Sequence, residues 1–135
     1  GSHRADIKAG KLIIELQHSS ISPQEIQERE RFYEYMVWLF DASEIKENFR
    51  VFERGSYFTF RWKWPRWSLS FCQKPIYLDF GDRTLFLIKN LYELGRGWGY
   101  LLHQFTFVKQ FLRNYLKDPV ILDVLREDWL TSFPH

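Results

Sequence analysis

Lys11-Leu12-Ile13-Ile14-Glu15-Leu16-Gln17, then Ser22-Pro23-Gln24-Glu25-Ile26-Gln27-Glu28-Arg29, then Met36-Val37-Trp38-Leu39-Phe40-Asp41 is the stretch that decides the fold. The first segment is an apolar run of strand length carrying one carboxylate. The second opens with Ser22, Pro23 and Glu25, a capping serine, a proline for the first helical position and an acid three residues on. That pattern predicts a helix start there. Ile26, Arg29 or Glu30, and Tyr33 recur at helical spacing, so the helix is expected to run to about Tyr35. The third segment is continuously apolar up to Asp41, as in a strand buried on both faces. Strand, helix, strand in this order predicts a parallel pair joined by a crossover helix.

Working outward, Asp6 lies in a short strand-like run, and Gly10 with Lys11 supplies a turn into the apolar run of Leu12, Ile13, Ile14 and Leu16 that holds Glu15. In such a hairpin Asp6 lies across from Glu15. A carboxylate within Leu-Ile-Ile-Glu-Leu, beside apolar Ile13, needs a physical reason, and a shared divalent cation is one. Two carboxylates on a rigid pair of strands are hard oxygen ligands of the kind Mg²⁺ or Mn²⁺ takes.

Four blocks carry a resemblance: His3-Arg4-Ala5-Asp6, Glu15-Leu16-Gln17-His18-Ser19, Ile21 to Arg29, and Val37-Trp38-Leu39-Phe40-Asp41. Their order and spacing resemble the nuclease domain of the competence protein CoiA-like family, a branch of the PD-(D/E)XK, or restriction-endonuclease-like, superfamily. The resemblance covers the first 40 residues or so, with a weaker echo at Lys74-Pro75-Ile76-Tyr77-Leu78-Asp79-Phe80-Gly81-Asp82. It implies a metal-dependent nuclease acting on nucleic acid, DNA in preference to RNA. Asp6 is then the motif aspartate, Glu15 the acid of the Glu-x-Lys element, and the Leu16 carbonyl a further metal ligand. Gln17 stands where most of the superfamily has lysine. An amide cannot bring positive charge to the attacking water and acts only by hydrogen bonding. The CoiA-like branch tends to carry glutamine at this position. His18, Ser19, Glu28 and Arg29 become neighbours of the site, with Arg29 a clamp for phosphate or carboxylate. The superfamily core begins with a helix and strand that this chain lacks ahead of the motif aspartate. Gly1, Ser2 and His3 read as the remnant of an expression tag. The expected partners therefore include the absent N-terminal part of a longer chain, or another polypeptide, besides nucleic acid.

The expected fold class is α/β with a mixed sheet, a restriction-endonuclease-like core over residues 1–50, and a β-rich continuation over 51–135 ending in helices. In that second half a short helix over 43–49, strands over 56–63, 75–80, 84–91 and 100–107, and helices over 108–116 and 120–130 are expected. The turn Gly81-Asp82-Arg83 joins two of the strands, and Asp79 and Asp82 read as turn formers. Gly95-Arg96-Gly97-Trp98-Gly99 reads as a flexible connection.

The 135 residues suit one domain, and 45% hydrophobic with 27% charged residues is ordinary for a folded protein. The unusual figure is 19% aromatic, which allows a short chain a large buried area. A net charge of +2 falls short of a dedicated nucleic-acid binder, so local clustering must carry that function. The cluster is Phe60-Arg61-Trp62-Lys63-Trp64-Pro65-Arg66-Trp67, where Arg61, Lys63 and Arg66 alternate with Trp62, Trp64 and Trp67. It reads as a phosphate-tracking and base-stacking surface, or as a strand with tryptophans inward and cations outward. The lone Cys72 excludes an internal disulfide and a cysteine-based zinc site and fits a reducing, cytoplasmic setting. No run approaches the roughly 18 apolar residues of a membrane span.

Overall fold

A computed structural model of the chain describes residues 4–9, 11–18 and 20–112. The core is one mixed sheet of eight strands: β1 (Arg4–Ala9), β2 (Leu12–Gln17), β3 (Met36–Asp41), β4 (Phe49–Glu53), β5 (Phe58–Trp62), β6 (Ile76–Asp79), β7 (Thr84–Leu91) and β8 (Arg96–His103). They lie in the order β1-β2-β3-β6-β7-β8-β5-β4. Helix α1 (Pro23–Phe32) crosses from β2 to β3, and α2 (Gln104–Leu112) follows β8. The mixed α/β class is therefore the one expected. The pairing of β3 with β6 makes the two halves of the chain one sheet.

Local chemistry accounts for the first half. Ser22 caps α1 by accepting from the Glu25 amide at 3.1 Å, with Pro23 in the first turn. The helix stops at Phe32, short of the expected Tyr35. The Tyr35 carbonyl instead accepts from the Ile13 amide at 2.9 Å, which keeps the approach to β3 extended. β2 and β3 then pair in parallel, Ile14 beside Val37 and Leu16 beside Leu39. Residues 36 to 40 are all buried, as a strand sandwiched on both faces requires.

Alternation divides the interior. One face carries Ile13, Ile26, Trp38, Phe40, Phe60, Trp62 and Phe86, and the other Ile14, Leu16, Leu39, Tyr77, Leu85 and Phe107. Phe49 on the edge strand β4 stacks on Phe60 (4.7 Å) and still reaches Phe80 (5.2 Å), just past β6, and Phe86 (5.3 Å) on β7, three places away in the sheet order. The sheet must curl to bring these rings together. Gly97 and Gly99 permit it: a Cβ at Gly97 would collide with the Phe60 ring and the Asn90 carbonyl, and one at Gly99 would lie 2.7 Å from Phe86 and against the Leu87 carbonyl.

These glycines correct the expected loop at 95–99, most of which is strand β8. The expected strand over 100–107 correspondingly ends at His103, and the helix begins at Gln104 instead of Val108. β4 had no expected counterpart, and 67–71 forms a 3₁₀ helix. The turn over 81–83 is built as expected. Asp79 Oδ1 accepts from the Gly81 amide at 2.9 Å, and Asp82 Oδ1 from the Thr84 amide at 3.1 Å. The expected helix over 120–130, the end of that over 108–116, His3 and the turn residue Gly10 lie outside the described residues. Among the described residues no helix is long and apolar enough to cross a membrane.

Burial pushes the Cys72 thiol up, with the Glu30 carboxylate adding to it, and burial alone pushes the Tyr77 phenol up to about 12. Both groups are favoured in their neutral forms by folding. Their contribution is complete below their usual values of 9.0 and 10.0 and is lost as pH climbs toward the raised ones. The urea midpoint of unfolding is expected to fall as pH rises from about 8 to about 10.5, and to fall less in Cys72→Ala and in Tyr77→Phe.

Candidate functional site

The β1–β2 hairpin pairs Asp6 with Glu15 and Ala5 with Leu16. Directly opposed residues of an antiparallel pair occupy one face of the pleat, so Asp6 stands at the register position on the Glu15 face. The Asp6 side chain lies outside the described residues. Glu15 and Gln17 are both fully buried, on the face covered by α1. Gln17 Nε2 donates to Glu15 Oε2 over a long 3.5 Å, and Gln17 Oε1 has no hydrogen-bond partner among the described residues. Arg29, one turn after Ile26 on α1, brings its guanidinium to 3.6 Å from Glu15 Oε1. Its side chain remains 23% exposed, so the polar cluster opens to the surface along the helix. Glu28 belongs elsewhere. It is exposed and accepts from Gln24 at 3.4 Å, as a solvated helix-face residue does.

Leu16 is paired on both sides, with Ala5 and with Leu39, so its backbone lies inside the ladder. His18 follows Gln17 on the alternate face, and its Nδ1 sits 3.7 Å from Asp41 Oδ2. Asp41 is itself held by Ser43, whose amide and hydroxyl donate to Oδ1 at 3.0 and 2.6 Å. His18 thus belongs to the end of β3 and not to the Glu15 cluster. Ser19 lies outside the described residues.

The aromatic-basic segment splits. Trp62 is 2% exposed and packs on Phe49, so it cannot stack on a base, which corrects the expected role. Alternation along β5 turns Phe60 and Trp62 inward and Arg61 outward. Trp64 and Trp67 are exposed, and Lys63 Nζ lies 5.7 Å over the Trp64 ring. Arg66 Nη1 donates to the Asp41 carbonyl at 3.4 Å, which ties it to the body of the sheet. Arg61 has two further arginines beside it, since Arg50 on β4 and Arg96 on β8 oppose it directly. Arginines alternating with aromatics in Arg50-Val51-Phe52 and Arg96-Gly97-Trp98 were the available signal.

No family model, curated protein or solved structure matches the chain. Its chemistry must therefore be read from these residues.

The donors of the first cluster fit a hard divalent cation. They are the carboxylate of Glu15 and the carboxylate type at position 6, with the amide oxygen of Gln17, which has no hydrogen-bond partner among the described residues, beside them to hold a water. Among the described residues no group of three or more His, Cys, Asp or Glu side chains gathers, so such a site depends on Asp6. Arg29 supplies the cluster's own positive charge.

Proposed function

We propose that the chain is a metal-dependent nuclease domain of the CoiA-like, restriction-endonuclease-like kind, hydrolysing phosphodiester bonds of DNA. The observation that carries this reading is the register that sets Asp6 opposite a fully buried Glu15. Like charges directly across a ladder destabilise a sheet, and burying a carboxylate costs several kcal/mol unless a cation compensates. Asp6 and Glu15 would hold Mg²⁺ or Mn²⁺, with the Leu16 carbonyl as a further candidate ligand. When bound, the ion supplies positive charge against the phosphate oxygens and makes hydroxide available near neutral pH.

The chain's own residues do the rest. Gln17 Oε1 accepts a hydrogen bond from the attacking water and fixes its direction, while Nε2 stays anchored to Glu15. Arg29 holds the Glu15 carboxylate in place and, from its exposed side, offers its remaining donors to a phosphate oxygen. The wall formed by Ile13, Ile26 and Trp38 keeps bulk water from the buried side.

The rival reading is a nuclease-like fold that binds nucleic acid or another polypeptide without cleaving. The 3.6 Å contact of Arg29 with Glu15 favours it, because a guanidinium already offsets that carboxylate. Thermal unfolding under MnCl₂ titration separates the two. The nuclease reading expects a rise in stability of about 2.7 kcal/mol at a hundred times Kd, and its loss in Asp6→Asn. An unchanged midpoint in the wild type favours the rival.

A further inference from the structure

The outer face of β4, β5 and β8 carries three arginines in one row. Arg50 is the direct partner of Arg61, and Arg61 of Arg96, across two antiparallel pairs. Strand spacing sets the row at roughly 10 Å from end to end. All three are exposed, and among the described residues none has a carboxylate within ion-pair distance. A like-charge pair directly opposed on a sheet is unfavourable, and here two such pairs share one arginine. The next row on that face is Phe52, Thr59 and Trp98, again direct partners. Arg50 and Arg54 lie 5.7 and 5.8 Å over the Phe52 ring. Trp98 meets Tyr57 and Tyr100 edge to face at 5.8 and 5.7 Å, and both tyrosines are 39% exposed. A groove of about 480 Å³ runs between Arg50, Arg54, Arg61, Arg96, Phe52 and Tyr92.

We infer that this face binds single-stranded nucleic acid, with successive phosphates along the Arg50–Arg61–Arg96 row and bases against the adjoining aromatic rows. Cations alone fit any polyanion. The second row decides between them, since the flat rings of Phe52 and Trp98, two residues along β4 and β8 from a guanidinium, match the alternation of phosphate and base in an unpaired strand. A duplex hides its base faces and could use only the arginines. The surface is independent of the Glu15 cluster, so binding is expected without metal and whether or not the chain cleaves.

The test is fluorescence-anisotropy binding of a labelled mixed-sequence DNA strand of about 12 nucleotides in EDTA, with the matching duplex and heparin as competitors. The wild type is expected to prefer the single strand. Arg61→Glu should weaken it at least about tenfold and flatten the slope of log affinity against log salt. The same variant should unfold at a higher urea concentration than the wild type, because the introduced carboxylate would sit between Arg50 and Arg96. Trp98→Ala should weaken the single strand while leaving heparin competition unchanged. Binding is read in EDTA, where metal-dependent cleavage is silent, so failure of this inference is distinguishable from failure of the nuclease reading. Equal affinity for duplex, heparin and single strand, or wild-type binding by Arg61→Glu, would overturn it.

Discussion

Trp62→Ala is expected to lower the free energy of unfolding by about 3–5 kcal/mol, whereas Trp64→Ala changes it by no more than about 0.5 kcal/mol. The two tryptophans stand two residues apart in one cationic segment. Their environments are opposite. Trp62 is 2% exposed and packs at 5.7 Å against Phe49, itself in contact with Phe60, Phe80 and Phe86. Truncating it removes the indole from the aromatic cluster inside the curl of the sheet, leaving a cavity the surrounding rings cannot fill without uncurling. Trp64 is 75% exposed and touches Lys63. Trp62→Phe should lose much less than the alanine variant, since the indole Nε1 has no hydrogen-bond partner among the described residues and nothing polar is left behind. Urea denaturation of the three variants checks this. A Trp62→Ala protein as stable as the wild type would remove Trp62 from the core.

What could be read from the sequence follows from which residues carry side chains. The capped helix, the apolar run 36–41 and the hairpin over 76–91 announce themselves because apolar side chains mark the buried positions and polar ones the turns. β8 defeats that reading. Its first two inward positions are Gly97 and Gly99, occupied from the neighbouring strands by the rings of Phe60 and Phe86, so the period-two pattern shows an apolar member on that face only at Leu101. β4 is hard to read for a different reason: as an edge strand it exposes Arg50, Val51 and Glu53, and only Phe49 is buried. The alternation of arginine with aromatic residues is visible within these two strands, but the row itself exists only through their pairing with β5. Conversely, Glu15 stood out as a carboxylate within an apolar run, and the register places Asp6 opposite it. The resemblance makes His18 a neighbour of the site, but the pleat sends it to the other face, toward Asp41.

The nuclease reading assigns cleavage to Asp6 and Glu15 jointly. Removing one ligand should exceed the roughly 10–100-fold cost of losing an outer-sphere partner, so Asp6→Asn or Glu15→Gln should each bring strand scission to background with folding preserved. Both substitutions keep shape and remove charge. Arg29 should also lose its anchor in Glu15→Gln, because its 3.6 Å partner is then neutral. The most direct measurement is scission of end-labelled DNA, single-stranded and duplex, by wild type, Asp6→Asn and Glu15→Gln in MnCl₂, MgCl₂ and EDTA, with circular dichroism on each sample. The account predicts products from the folded wild type with Mn²⁺ or Mg²⁺, none in EDTA, and none from either folded variant. Absence of products from the wild type with both metals, or equal products from the variants, would contradict it.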